Sequence, residues 1–265
     1  MNDLIDAPSM STLPRSESAG DDRLIGSVVP RMSLDCADRE RMYALYASYF
    51  TATSRARFEA DLAEKEGAIL LRDSRAGEIQ GFSTFMRLAA EVDGRSIVAF
   101  FSGDTIVEER YWGESVLARL WGKTVFQEAD RMVLVNPAAE IYWFLICSGY
   151  KTFRYLPVFF REFYPHPQAP APAYIQRILD VLGRAKFGDR YHAESGIVRL
   201  EHAAPLRPGV AEITAQRKRD PMVAFFASRN PGHAQGDELA CLTRISRSNL
   251  TRAAERMLGN FSPAA

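Results

Sequence analysis

The feature that most constrains the fold of this chain is a change of hydrophobic period near Gly67. Before that residue, apolar side chains recur at helical spacing, which predicts helices over 38–50 and 56–65. After it, extended apolar runs follow in close succession and predict three strands, over 68–72, 79–88 and 96–102. A chain that changes period in this way buries both kinds of apolar face by covering a sheet with helices.

The segments after the third strand alternate in type. The pattern predicts a helix over 115–129, a strand over 131–135, a helix over 140–147 and an extended segment over 153–163. Strands that alternate with helices favour parallel neighbours, because a crossover helix joins parallel strands. We therefore predict an α/β fold with a mixed sheet of the α+β kind, covered by helices.

Composition along the chain predicts three regions. Residues 1–30 are rich in Ser, Pro, Asp and Gly, and we expect a disordered N-terminal tail there. Residues 31–165 hold the elements described above and are expected to form the main domain. The stretch 166–173 contains three prolines, which is typical of a linker. We expect 166–265 to be a C-terminal extension that packs on the core, with helices over 174–187 and 248–258 and a strand over 197–200.

Charge and cysteine content exclude several classes of protein. The chain has 33 basic and 33 acidic residues, so a zero net charge gives no general attraction to nucleic acid or an anionic membrane. The chain has three cysteines, Cys36, Cys147 and Cys241. Their odd number and wide spacing indicate reduced thiols in a cytoplasmic protein and not a disulfide framework. No apolar run approaches the ~20 residues of a transmembrane helix, and no secretory signal or metal-ligand spacing is present. We expect a cytoplasmic protein.

One segment, 104–122, carries a pattern with a chemical meaning: DTIVEERYWGESVLARLWG. An apolar strand runs into a turn, and a helix begins directly after it. The N–H groups at a helix start lack intrahelical partners and carry partial positive charge, so an anion binds there readily. Gly113 leaves room for a pyrophosphate, and Ser115 can cap the helix. The expected anion site comprises Arg110, Tyr111, Trp112, Gly113, Glu114 and Ser115.

This segment resembles the signature of the GNAT acyltransferase superfamily, which is Arg or Gln, two residues, Gly, one residue, then Gly or Ala. Ser115 stands where the family has Gly or Ala. Further along, Asn136-Pro137-Ala138-Ala139 followed by Gly149-Tyr150 resembles the family's closing segment. The resemblance covers about 32–165. It implies a GNAT-like N-acyltransferase fold that binds acyl-CoA, or the phosphopantetheine of an acyl-carrier protein, and transfers the acyl group to an amine.

Catalytic residues are less sharply indicated. The resemblance implies a Tyr that protonates the leaving thiolate, and Trp143 occupies the expected position with Tyr142 beside it, so Tyr142 is the candidate acid. Asp104, at the end of the third strand, is a candidate base, and His192 is a second. Each has a plain alternative, since Tyr142 can be a core aromatic, Asp104 a capping acid and His192 an exposed histidine.

Aromatic residues are dense on both sides of the signature. They are Phe82, Phe85, Phe100, Phe101, Phe153, Tyr155, Phe159, Phe160 and Phe163. Core packing explains such residues, and a cleft for a long apolar chain explains them as well. The overall layout also resembles bacterial GNAT-like maturases that attach fatty acyl groups to a Lys or ornithine side chain of ribosomal peptides. That narrower resemblance implies a long-chain donor and a precursor peptide as acceptor.

Three other functions stay open at this point. The chain can be a short-chain acetyltransferase of a small amine or protein Lys, or a homoserine-lactone-type synthase. It can also be a GNAT-shaped protein that binds a CoA ester without turnover. The sequence does not identify the acceptor, the acyl length or the oligomeric state, and a homodimer stays open.

Overall fold

Eight strands and eight α-helices form the part of the chain that the computed structural model describes, residues 23–259. The strands are β1 Leu24–Pro30, β2 Gly67–Asp73, β3 Ile79–Val92, β4 Arg95–Val107, β5 Glu140–Cys147, β6 Tyr191–His192, β7 Ile197–Val198 and β8 Glu238–Arg244. The helices are α1 Cys36–Tyr49, α2 Arg55–Glu64, α3 Val116–Val135, α4 Tyr150–Phe153, α5 Tyr155–Phe159, α6 Ala173–Phe187, α7 Pro221–Arg229 and α8 Arg252–Leu258.

The strands form one mixed sheet in the order β1-β2-β3-β4-β5-β8-β7-β6. Strands β1 to β4 are antiparallel neighbours, β4 and β5 are parallel, and β8 runs antiparallel to β5. Because α3 connects β4 to β5, the parallel pair has the crossover helix that such pairs need. The predicted class, an α/β fold with a mixed sheet, is confirmed.

Helices cover both faces of the sheet. Strand β4 shows why: Phe101 packs with α6, whereas its neighbour Phe100 packs with α3 and α8 on the opposite face. Helices α1 and α2 share the α6 face and cover β2 and β3, with Met42 and Phe58 in their buried cluster. The alternation of side chains along β4 therefore divides the core into two layers. None of the described helices is long and apolar enough to cross a membrane.

The first half of the chain follows the sequence prediction, with one correction at its start. Leu24–Pro30 is the edge strand β1, paired with β2, so the prediction of a disordered tail up to residue 30 is wrong for these residues. Leu24 and Val28 are buried on alternate positions, which stabilises the strand. The remainder of the predicted tail, 1–22, lies outside the described residues.

Three elements after the signature differ from prediction. The expected strand over 131–135 is the last turn of α3, which contains no proline and ends just before Asn136-Pro137. The expected helix over 140–147 is β5, a central strand that is buried on both faces and therefore has a continuous apolar sequence. The expected extended segment over 153–163 instead begins at the last residue of α4 and contains α5.

The C-terminal part does more than pack on the core. Its strand β8 lies beside β5, and β7 and β6 complete that side of the sheet. Leu239, Ala240, Cys241 and Leu242 of β8 are fully buried. One continuous sheet therefore runs across the expected boundary at residue 165.

A segment of the C-terminal part, 200–211, crosses from the β7 side of the sheet to the end of α1. We call it the strap. The Pro205 carbonyl accepts the Thr51 N–H at 2.8 Å, and the Arg207 N–H donates to the Tyr49 carbonyl at 2.8 Å. The Arg207 guanidinium also donates to the Ala47 carbonyl at 3.0 Å. These bonds hold the strap across the open end of the cleft described next.

Candidate functional site

A cleft opens where β4 and β5 part. Their parallel pairing runs from Ile97 with Glu140 to Ser102 with Leu145, and β4 continues to Val107 beyond the last pair. The volume of the cleft is about 820 Å³, and the strap contributes Leu206 to its wall. Divergence of two strands leaves a gap that a ligand can enter in the middle of the sheet.

A β-bulge in β4 lies at this opening. Ser83 pairs with Thr105 and Phe85 pairs with Ser102, so Gly103 and Asp104 together lie opposite one residue of β3. A bulge bends its strand and changes the direction of the side chains beside it. Asp104 is half-buried and lines the cleft.

Four polar side chains from four elements line the middle of the cleft. Asp104 comes from β4, Tyr46 from α1, Ser148 follows β5, and Glu238 begins β8. The Ser148 hydroxyl donates to Glu238 Oε1 at 3.0 Å. Two carboxyl groups, one hydroxyl and one phenol therefore meet where the strands part.

The two carboxyl groups have raised pKa values. Burial raises the pKa of Asp104 well above its usual range, and Asp61 raises it further, whereas Lys65 lowers it. Burial also raises the pKa of Glu238 to about 7, although the hydrogen bond from Ser148 opposes the rise. Carboxyl groups that titrate near neutral pH can accept and return a proton, as general acid–base catalysis requires.

Tyrosine hydroxyls also line the cleft. Burial raises the pKa of Tyr46, and the carboxylate of Asp104 raises it further, so the phenol keeps its proton at neutral pH. Tyr150 and Tyr155 line the cleft from α4 and α5, and burial raises the pKa of Tyr155 as well. The cleft therefore holds hydroxyl donors beside its carboxyl pair.

The predicted anion loop lies at one end of the same cleft. Gly113 is exposed, with φ of +100°, and a Cβ added there would meet no atom within 4 Å. Ser115 occupies the N-cap position of α3 without a side-chain hydrogen bond to the first turn. The Tyr111 hydroxyl bonds the Asp73 carboxylate and so fixes the loop to β2. The backbone at the start of α3 is therefore open to a ligand.

Basic side chains surround this loop. Lys151 Nζ lies 3.1 Å from the ring centroid of Trp112, and Arg110 is exposed beside the loop. Arg23 binds the Glu114 carboxylate at 2.7 Å and donates to the Arg110 carbonyl at 2.9 Å. Lys151 and Arg110 can therefore meet an anion at the helix start, while Arg23 neutralises the acidic residue of the loop.

Of the three catalytic candidates from the sequence, the structure places Asp104 in the cleft. Tyr142 lies in β5, is 2% exposed and donates its hydroxyl hydrogen to Glu140 at 2.8 Å. His192 is exposed in β6, at the far edge of the sheet. Neither lines the cleft. Among the described residues, no three His, Cys, Asp or Glu side chains lie close enough together to hold a metal ion.

The segment around Tyr142 differs from the sequence prediction. Asn136-Pro137-Ala138-Ala139 is the turn between α3 and β5, not the start of a helix, and Tyr142 lies in the strand that follows. Tyr150 and Tyr155 belong to α4 and α5, which come after that strand. Glu238 was missed because it lies far from the signature in sequence. The sequence signal for Glu238 is an acidic residue directly before the apolar run LACL.

No protein-family model matches the chain, and no curated protein matches it by sequence. Solved structures do resemble it. An N-acetyltransferase of the GNAT family from Escherichia coli, in complex with CoA, is 19% identical; the match covers 52% of this chain and 71% of that one, with a TM-score of 0.34. An acetyltransferase from Trypanosoma brucei is 16% identical over 56% of this chain and 98% of that one, with a TM-score of 0.35.

N-Myristoyltransferase from Saccharomyces cerevisiae with bound myristoyl-CoA is also similar. It is 11% identical, and the match covers 53% of this chain and 35% of that one, with a TM-score of 0.37. A probable N-acyltransferase from Enterococcus faecalis is matched over 33% of its length, so this chain spans about a third of these two proteins. At such TM-scores and identities a likeness does not establish a shared function, which has to be inferred from the cleft itself.

Proposed function

We propose that this protein is a GNAT-type N-acyltransferase that moves a long-chain acyl group from an acyl-CoA, or an acyl-carrier protein, to a primary amine. The observation that carries the proposal is the carboxyl pair Asp104 and Glu238 in a cleft that begins at an open helix start. A thioester donor needs an anion site for its phosphates, and amine attack needs a group that takes a proton. Both features lie in one cleft.

The donor lies with its phosphate groups at the start of α3 and its pantetheine between β4 and β5. Gly113 leaves the backbone N–H groups accessible, and Lys151 and Arg110 supply charge. The thioester carbon then reaches the level of Asp104. This arrangement uses the gap between the strands, where backbone groups of β4 beyond Ser102 have no partner from β5.

A long acyl chain agrees with the aromatic lining of the cleft. The aromatic side chains that line it include Tyr46, Phe50, Phe58, Phe101, Phe159 and Phe187. Each buried methylene contributes about 0.8 kcal/mol, so such a lining favours a fatty acyl chain over acetyl.

The reaction requires a proton acceptor for the amine and a proton donor for the thiolate. The acceptor ammonium loses a proton to the ionised member of the Asp104 and Glu238 pair, and the neutral nitrogen attacks the thioester carbon. The carbon–sulfur bond breaks as the amide forms, and the thiolate leaves with a proton from Tyr46, whose phenol faces the same carboxyl pair. The second proton of the nitrogen passes through solvent to the Tyr46 phenolate, and the carboxyl group releases its proton to solvent, so both groups return to their starting states. The carboxylates also attract the ammonium of the acceptor before transfer.

The acceptor that we favour is a Lys or ornithine side chain of a peptide. The support is that three acidic side chains, Asp61, Asp104 and Glu238, line the cleft, and their carboxylates attract a primary ammonium group. A short-chain acetyltransferase and a non-catalytic CoA-ester binding protein are the alternatives, and they give different outcomes in the following experiment.

The proposal is tested with C2, C8, C12 and C16 donors on both CoA and carrier protein, and with peptides that contain one Lys or ornithine. Thiol release and product mass are measured. We expect transfer from C12 or C16 to exceed transfer from C2 by about tenfold or more. A preference for C2 would identify a short-chain enzyme, binding without transfer would identify a non-catalytic protein, and failure of all donors to bind would overturn the proposal.

Substitutions then assign the roles. D104N and E238Q should each lower kcat/KM by about a hundredfold or more, since each removes a proton acceptor. G113A should raise the KM for the donor, because a side chain at φ of +100° is strained and extends toward the bound phosphates. G77A is the matched control: Gly77 also has positive φ and open surroundings but lies in the β2–β3 turn.

A further inference from the structure

Lys65, which follows α2, is a buried lysine that the proposed reaction does not use. Its side chain is fully buried, and Nζ lies 2.6 Å from Asp61 Oδ1 and donates to the Asp61 carbonyl at 3.1 Å. The Asp61 side chain is 44% exposed and lines the cleft. Burying an ammonium group is costly unless it is paired, so a lysine in this position calls for a physical reason.

The packing of Lys65 connects it with the β4 bulge. A Cβ on Gly103 would lie 2.6 Å from Lys65 Cε and 2.3 Å from Thr84 Oγ1. These separations are shorter than any real contact, so glycine is required where the lysine side chain meets the backbone of β4. Gly103 directly precedes Asp104, and Thr84 is the β3 residue opposite both. The lysine therefore supports the backbone that sets the direction of the Asp104 side chain.

The buried threonine is a second sign of a constrained junction. Within the described residues, Thr84 Oγ1 is buried and has no hydrogen-bond partner. A buried hydroxyl without a partner is destabilising, and such groups concentrate where another requirement determines the packing. Here the requirement is the close approach of Lys65, Thr84 and Gly103 at the bulge.

We propose that Lys65 is a positioning residue for Asp104: it packs under the bulge and supplies a buried positive charge that balances the carboxylates of Asp61 and Asp104. This inference rests on the proposed function, in which Asp104 takes a proton from the acceptor. Without that charge, the carboxyl groups of Asp61 and Glu238 would act on Asp104 with no opposing cation, and the protonated form of Asp104 would be favoured further.

The groups that face Asp104 come from three other elements. Tyr46 belongs to α1, Asp61 and Lys65 to α2 and the residue after it, and Glu238 to β8. Asp61 and Glu238 favour the protonated form of Asp104, and Lys65 favours the ionised form. Lys186 of α6 also lines the cleft but is paired with Glu64. Lys65 is therefore the cation that acts on Asp104, and its removal and the removal of Asp61 should act in opposite directions.

The test measures the titration of the Asp104 carboxyl carbon by NMR in the ligand-free full chain, with D104N used to assign the signal. In K65M, we expect the midpoint to rise by about one pH unit or more. In D61N, we expect it to fall, because a negative charge is removed and Lys65 remains. K65R keeps the charge and is the conservative control, with a midpoint close to that of the parent.

The pH dependence of kcat/KM supplies the second readout. The acidic limb should move to higher pH in K65M and to lower pH in D61N, whereas a lysine with a purely structural role would reduce activity equally at every pH. Unchanged midpoints in both K65M and D61N would overturn the inference, and D61N decides alone if K65M does not fold. Because the NMR titration needs no substrate, absence of acyl transfer by the parent would refute the proposed function and leave this test intact.

Discussion

At the scale of single residues, Glu238 shows that the cleft is built at a cost to stability. Burial raises its pKa to about 7, whereas an unfolded chain releases the same proton near pH 4.3. Between these values the folded protein binds a proton that the unfolded chain has lost, so this residue makes the free energy of unfolding decrease as pH rises. A group arranged in this way is typical of a catalytic site and not of a structural ion pair.

We therefore expect E238Q to raise the free energy of unfolding at pH 8 by on the order of 2 kcal/mol. The difference between E238Q and the parent should vanish near pH 3, well below the unfolded pKa of about 4.3, where the carboxyl group is protonated in both states. Denaturant unfolding at the two pH values measures this. E194Q, which alters an exposed carboxylate, is the control. An E238Q effect of equal size at both pH values would contradict this account.

The residue scale also shows what the sequence can and cannot predict of the site. The sequence predicts Gly113 and Asp104 as site residues because both lie in one continuous strand, turn and helix. The structure of such a segment follows from residues that are close together in the chain. Glu238 and Tyr46 come from distant segments, and only the order of strands in the sheet brings them to Asp104. The raised pKa values depend on burial, which no local pattern encodes.

At the scale of elements, the strand β5 determines where the catalytic candidate Tyr142 lies. The sequence predicts a helix over 140–147, but the strand formed there places Tyr142 on the α6 face of the sheet. There its hydroxyl donates to Glu140 Oε2 at 2.8 Å, and Arg95 binds the other oxygen at 2.8 Å. Tyr142 is thus part of the buried support of the sheet.

We expect Y142F to leave kcat/KM within about twofold of the parent, because the hydroxyl lies outside the cleft. It should lower the free energy of unfolding by about 1–2 kcal/mol, since a hydrogen bond to a carboxylate is lost. Y191F is the matched control, because the Tyr191 hydroxyl donates to Asp180 at 2.8 Å in the same layer. A tenfold fall in kcat for Y142F alone would restore Tyr142 as a catalytic residue.

Elements differ in how closely the sequence predicts them. Helices α1, α2 and α6 and strand β2 lie within two residues of their predicted bounds, whereas β3 runs four residues beyond its predicted end. Strand β5 is buried on both faces, so its sequence has no period that separates strand from helix. The end of α3 has the opposite problem, because its apolar sequence predicts a buried strand. Val133, Leu134 and Val135 are helical there and are 42%, 74% and 83% exposed.

At the scale of the whole molecule, the sheet makes the N-terminal and C-terminal parts one structure. Strand β8 forms the antiparallel neighbour of β5 along Tyr142–Cys147 and carries Glu238 at its start. The strap, which precedes β8 in the chain, crosses the cleft to the end of α1. A proline-containing segment suggests a boundary in the sequence, but a strand order that interleaves distant segments is a property of the complete chain.

A chain that ends at Pro165 should therefore fail to fold. Removing β8 leaves the backbone groups of β5 unpaired and exposes apolar side chains along a central strand, which favours aggregation. Circular dichroism and size-exclusion chromatography measure the outcome. The control is the full-length chain with a protease site introduced within 166–173. After cleavage, its two pieces should stay folded and elute together. A soluble, monomeric fragment with native strand content would show that β5 does not need β8, and the cleft would then belong to the N-terminal part alone.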